Sequence, residues 1–143
     1  MTLKEIFNSI NEIAAKQPLV NTVIKSGDIY DINEKADVEF SVFCAVQQAH
    51  TLSPEDNIMN YQFILYHVDR LTSDGSNKID VQSTAIQVLT NIIKTFADEY
   101  GDIAELSDTV TYEVFTDSFK QLCAGAYATL TIQADVWPCL ETY

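Results

Sequence analysis

The clearest pattern of apolar and polar positions lies between Asn57 and Gly101. Residues Ile58 to Val68 alternate, with Met59, Tyr61, Phe63 and Leu65 on one side of an extended chain, because successive side chains of a strand point to opposite faces. The other side starts polar at Asn60 and Gln62 and becomes apolar at Ile64, Tyr66 and Val68, so the second half of this strand requires cover on both faces. Small, turn-forming residues from Asp69 to Lys78 interrupt the alternation. From Asp80 a helical period takes over. Val81, Ala85, Val88, Leu89, Ile92, Ile93, Phe96 and Tyr100 recur at three- and four-residue steps, and Gly101 stands where a left-handed cap commonly closes a helix.

Shorter elements flank this centre. Thr2 and Glu5 form a capping-box pattern ahead of an apolar stripe of Leu3, Ile6, Phe7, Ile10, Ile13 and Ala14, and Pro18 ends the helix. The runs Leu19–Ile24 and Ile29–Ile32 on either side of Gly27 predict a hairpin, followed by a charged turn over Asn33–Asp37. Val38 to Gln47 alternates, with Val38, Phe40, Val42, Cys44 and Val46 expected inward and Phe43 and Ala45 on the second side. His50 to Asn57, containing Pro54, predicts a projecting hairpin loop. Thr109–Phe115 and Ala126–Ala134 suit strands, the latter with Ala128, Leu130, Ile132 and Ala134 on one face. Asp117 to Gly125 between them fits a helical turn or a strand with a bulge at Gly125, and an irregular or short helical link is the expectation. One α+β domain over residues 1–143 follows, with a mostly antiparallel sheet packed by the N-terminal helix and one long central helix, since the early strands are joined too closely for crossovers.

Composition narrows the function classes. Of the 143 residues 47% are hydrophobic, which separates the chain from disordered acidic tails despite a net charge of −13. The eight Lys and Arg residues are scattered singly, so neither a phosphate-binding patch for nucleic acid nor an attachment to an anionic membrane is expected. No apolar run approaches the roughly 20 residues that cross a bilayer. The amphipathic start, Met1 to Phe7, reads as a helix rather than a secretion signal, placing the protein in the cytoplasm or in something assembled there. Cys44, Cys123 and Cys139 have no Cys-x-x-Cys spacing and read as reduced, buried thiols.

Catalytic and metal chemistry finds little support. The only histidines are His50 and His67. His67 and Asp69 share a strand face and Asp80 would approach them, which permits an imagined metal site or an uncharacterised hydrolase, but a structural histidine is the simpler reading. A Cys44–His50 nucleophile pair fails because Cys44 faces inward. Ser73 to Asn77 lacks a phosphate-cradling Gly-Lys-Ser/Thr, and with Gly75 at the sixth position of a calcium loop, Arg70 and Val81 occupy ligand positions. Glu55–Asp56 and Asp98–Glu99 suit solvated turns and helix ends. No catalytic residue, metal or cofactor is expected.

What the pattern leaves over is apolar surface. Phe43, Ile64, Tyr66 and Val68 on the second sheet face, with Trp137, Leu140 and Tyr143 at the end, exceed what one helical layer covers. Two helices on opposite faces would absorb the surplus; a subunit interface, where Trp and Tyr concentrate, is the competing account.

The order of motifs carries a resemblance. Tyr66-His67-Val68-Asp69-Arg70-Leu71, a loop ending near Asn77, a helix opening Val81-Gln82-Ser83 and continuing through Ala85, Ile86, Val88, Leu89, Asn91, Ile92 and Ile93, then Phe115-Thr116-Asp117-Ser118-Phe119 and Cys123-Ala124-Gly125-Ala126-Tyr127 resemble small structural proteins of tailed bacteriophages of Bacteroidota, including crAss-like phages. These are similar in turn to the tail-terminator and head-completion group, which form rings at the head–tail junction. The likeness spans Val38 to Ala134 and departs from the family at Ser118, where an Arg is usual. It implies a tail-terminator-like, non-enzymatic subunit of a cyclic ring in the virion, assembled in the bacterial cytoplasm. Such a ring joins portal, neck and tail proteins around a DNA channel that passes duplex DNA without specific binding, to which a strongly acidic subunit is suited. The loop bearing Asp69, Arg70, Asp74 and Gly75 would project toward neighbouring subunits. The rival expectation is a soluble bacterial adaptor that binds one protein partner as a monomer or dimer.

Overall fold

A computed structural model describes residues 1–33, 38–118 and 122–136. Helix α1 (Leu3–Ala15) begins at the expected capping box: the Glu5 backbone N–H donates to the Thr2 hydroxyl at 3.2 Å and the Thr2 N–H to the Glu5 carboxylate at 3.0 Å. Strand β1 (Thr22–Ile24) and a 3₁₀ turn (Ile29–Asn33) precede β2 (Val42–Gln47), β3 (Thr51–Ser53) and β4 (Ile58–Arg70). Helix α2 (Lys78–Tyr100) then leads to β5 (Ala104–Leu106), β6 (Thr111–Ser118) and β7 (Leu122–Asp135). The class is α+β, with two α-helices and a seven-stranded mixed sheet among the described residues.

The sheet is built on β4 and β7, which pair antiparallel from Ile58↔Asp135 to Arg70↔Cys123. Along the outer edge of β4 lie β3 and β2 in line, and along the outer edge of β7 lie β5 and β6 in line. Beyond β2, strand β1 pairs parallel, with Val23 opposite Phe43. The expected hairpin between residues 19 and 32 is therefore replaced. Ile29 and Ile32, three apart, match one face of a 3₁₀ turn and both are buried. With that turn inside it, the connection from β1 to β2 is long enough for the parallel crossover that the shortness argument had excluded. Within the expected turn over residues 33–37, residues 34–37 lie outside the described part.

Both helices lie on one face of the sheet, not on opposite faces. Ile6, Ile10 and Ile13 of α1 and Val88, Leu89, Ile92 and Phe96 of α2 share a core with Phe43, Phe63, Leu65, Leu130 and Ile132. Residues Phe43 and Ala45 thus belong to the helix-covered face, because the register with β4 sets them opposite His67 and Leu65. The Val42 and Cys44 side joins a smaller cluster on the other face, with Ile24, Ile29, Ile32, Val68 and Cys123.

Two further expectations are corrected. Gly101 closes α2 in the right-handed region at φ −63°, its N–H donating to the Ala97 carbonyl at 2.9 Å, and not as a left-handed cap. The Asp117–Gly125 link is strand at both ends, since β6 reaches Ser118 and β7 begins at Leu122, and Gly125 sits in unbroken register with Val68 and Phe115 rather than in a bulge.

Candidate functional site

The helix-free face of the sheet divides into a closed end and an open end. At the closed end the 3₁₀ turn and β1 place Ile24, Ile29 and Ile32 over Val42, Cys44, Val68 and Cys123. Val68 is fully enclosed there, as Phe43 is under the helices, so both are satisfied within one chain. Arg70 lies at this end, its guanidinium carbon 5.8 Å from the centroid of the Phe40 ring.

Toward the open end, strand alternation presents Ile64 and Tyr66 of β4, both half-buried, beside Tyr127 and Thr129 of β7 and Glu113 and Phe115 of β6. Tyr66 and Tyr127 are direct cross-strand partners with ring centroids 5.3 Å apart, and Phe115 approaches both at 6.0 and 6.1 Å. Gly125, between Val68 and Phe115, adds no side chain beside these rings. The Tyr127 hydroxyl donates to the Glu113 carboxylate, which pushes its own pKa up, and burial raises that of Tyr66. Farther out the face continues as Gln62, Thr131, Asn60 and Gln133, an uncharged polar strip in a chain of net charge −13. An aromatic patch with an amide- and hydroxyl-rich border is suited to contact with another protein surface.

The loop before α2 is tightly self-bonded. The Thr72 hydroxyl donates to Asp74 at 2.8 Å and the Ser76 N–H donates to it at 3.0 Å; the Ser76 N–H contact is the larger reason that the carboxyl is lowered to about 2. Asn77 accepts from the Thr72 N–H at 2.9 Å and donates to the Arg70 carbonyl at 3.3 Å, and Gly75 adopts φ +71° at the tip. Asp74 is exposed on this fixed loop, while Asp69 is half-buried and accepts from the Arg70 N–H at 2.8 Å. Trp137, Leu140 and Tyr143 lie outside the described residues.

The two histidines have structural contacts. His67 is 1% exposed on the helix-covered face; its Nε2 donates to the Leu19 carbonyl at 3.3 Å, which leaves Nδ1 as a buried acceptor. The imagined companions are near it: Asp69 and Asp80 line the same hollow of about 140 Å³ as His67, together with Thr84. Among the described residues, however, no group of three His, Cys, Asp or Glu side chains is arranged to hold a metal ion. Burial holds the His67 pKa below its ordinary 6.5, against the smaller opposing effects of Leu19 and Asp69. An unfolded chain therefore binds a proton below that pH which the folded chain refuses, and stability present above pH 6.5 declines as the pH falls. Urea midpoints measured from about pH 7.5 to 5.5 will drop, and His67→Gln will flatten the slope; an unchanged slope in the variant would assign the effect elsewhere.

His50 fills the break between β2 and β3. Its Nδ1 accepts from the Gln62 N–H at 3.1 Å, its Nε2 meets the Gln47 side-chain oxygen at 3.0 Å, and its ring stands edge-on to Tyr61 at 5.4 Å. The expected loop from His50 to Asn57 is consequently drawn into the sheet as β3, with only a short turn between Ser53 and Ile58.

Tyr127 and Phe115 entered the sequence reading within expected strands and the motifs of the resemblance, and not as candidate interface residues. Their signal was the face opposite Ala128, Leu130 and Ile132, together with the β-rich run around Val114. No described helix is long and apolar enough to span a membrane. No protein-family model matches the chain, and no curated protein matches it.

Proposed function

We propose that this chain is a non-enzymatic structural subunit of a tailed-phage virion, one copy of a tail-terminator-like ring that connects portal and tail components around the DNA path. The observation that carries this reading is the aromatic patch of Ile64, Tyr66, Phe115 and Tyr127 on a sheet face that neither helix covers. Buried aromatic anchors with a polar border dominate the energetics of protein interfaces. The resemblance of the motifs from Val38 to Ala134 supplies the kind of assembly, and the acidity of −13 per subunit suits a lumen that repels duplex DNA. The rigid loop around Asp74 and Gly75 is a second contact surface for neighbouring neck or tail proteins.

Light scattering and negative-stain imaging of the purified chain, alone and with coexpressed portal and tail proteins, test the proposal. Closed rings are expected, and Tyr66→Ala is expected to reduce assembly with little loss of folding, because the ring is only half-buried in the single chain. Tight binding of duplex DNA at physiological salt would overturn the reading. A monomer that copurifies with one bacterial protein and with no virion component would transfer the patch to the adaptor function.

A further inference from the structure

The sheet path ends in β1 on one side and β5 on the other, and each has one strand neighbour among the described residues. Between the flank of α1 and residues 25–27, which follow directly on β1, a groove is formed by two adjoining hollows, about 250 and 240 Å³, which share Phe7 and Lys25. Leu3 and Lys4 line its first part and Asn11 its second, with Glu12 at the far end. Asn11 is 4% exposed, yet both its carboxamide oxygen and nitrogen are buried without a hydrogen-bond partner. A side chain so placed holds one acceptor and two donor hydrogens for a group that the described residues do not supply, and a peptide unit offers the matching donor and acceptor. The charge around the groove is also distinctive: Lys4 and Lys25 are two of only eight cationic side chains in a chain of net charge −13. The opposite sheet edge is acidic, with exposed Asp102, Glu105 and Asp108 around β5, and Ile103 beside them is an apolar side chain 55% exposed.

We infer that the groove beside β1 receives the Asp102–Asp108 edge of a second copy of this chain. The incoming β5 extends the sheet at β1 by strand addition. Asn11 then hydrogen-bonds its backbone, Ile103 enters the apolar part beside Leu3 and Phe7, and Lys4 and Lys25 face the carboxylates. Because the two surfaces differ, each added copy leaves one of each free, so the contact repeats head to tail and closes into a ring or continues as a filament. This rests on the ring reading and deepens it by naming one pair of surfaces, apart from the aromatic patch, that joins neighbours.

The test is sedimentation and light scattering of the full chain at low ionic strength and rising concentration, with Lys25→Glu, Glu105→Lys, the double exchange and Asn11→Leu. Both charge positions are exposed, so folding is expected to survive the reversals. The wild-type chain associates; each single reversal weakens association about tenfold or more, and the double exchange restores it. Asn11→Leu raises the thermal midpoint of the separated chain, by removing an unpaired buried amide, while weakening association. A wild-type chain that stays monomeric up to its solubility, association indifferent to the single reversals, or a double exchange no stronger than the singles overturns the inference. Rings indifferent to these exchanges sink this contact and leave the ring; filaments or open dimers that obey them support the contact and sink the ring.

Discussion

Gly125→Ala is expected to be the most damaging small substitution in the chain. A Cβ at this position would lie 2.0 Å from the His67 carbonyl oxygen, 3.0 Å from its carbon and 3.1 Å from the Val68 Cα. Those are backbone atoms of β4, the strand that pairs with β7 along its whole length, so no side-chain rotation relieves the clash. The two central strands must separate locally, which disturbs the aromatic patch on one side and His67 on the other. A loss at or above the upper end of the ~1–3 kcal/mol typical of overpacking is expected from urea unfolding. Gly75→Ala is the comparison: nothing lies within 4 Å of its Cβ position and φ is +71°, so only the left-handed backbone penalty of about 1–2 kcal/mol applies. A Gly125→Ala chain as stable as the wild type would refute the register between β4 and β7.

Phe63→Ala is expected to cost about 3–5 kcal/mol, the range for removing a buried phenylalanine. Phe63 is fully enclosed where α1, α2 and the sheet meet, and the surrounding isoleucines and leucines are held by regular elements that cannot collapse into the vacancy. Its neighbour Ile64 points to the helix-free face and is only half-buried. Ile64→Ala should therefore cost under half as much by the same unfolding measurement, and its effect should appear in assembly instead. Equal losses at both positions would mean that the open face is covered within the single chain.

The contrast between these adjacent residues was legible before any tertiary structure. Alternation through Ile58–Val68 separates Phe63 from Ile64, and the change from Asn60 and Gln62 to Ile64, Tyr66 and Val68 marks a strand whose second side is apolar over only part of its length. The candidate surface was visible in the same way at Ile64 and Tyr66. Val68 and Phe43 could not be told apart from them, because their enclosure depends on the 3₁₀ turn at Ile29–Asn33 and on the side of the sheet that α1 takes. Tyr127 and Phe115 joined the patch only through cross-strand register with β4. Asn11 had the spacing of the α1 apolar stripe, but that its amide has no partner is a fact of packing.

By itself the sequence determined the elements whose signals are local: α1 from the Thr2–Glu5 capping box and its stripe, α2 from its helical period, and β4 from alternation, together giving an α+β chain with more apolar strand surface than one layer of helices requires. Tertiary structure alone decided that β1 runs parallel to β2, that both helices share one face, that β7 starts at Leu122 and that β5 and β6 lie in line along one edge. The physical reason is range. Capping and periodicity act between residues a few positions apart, whereas pairing partners and the choice of face are settled by contacts between distant segments, each selected by the burial that all the others leave available.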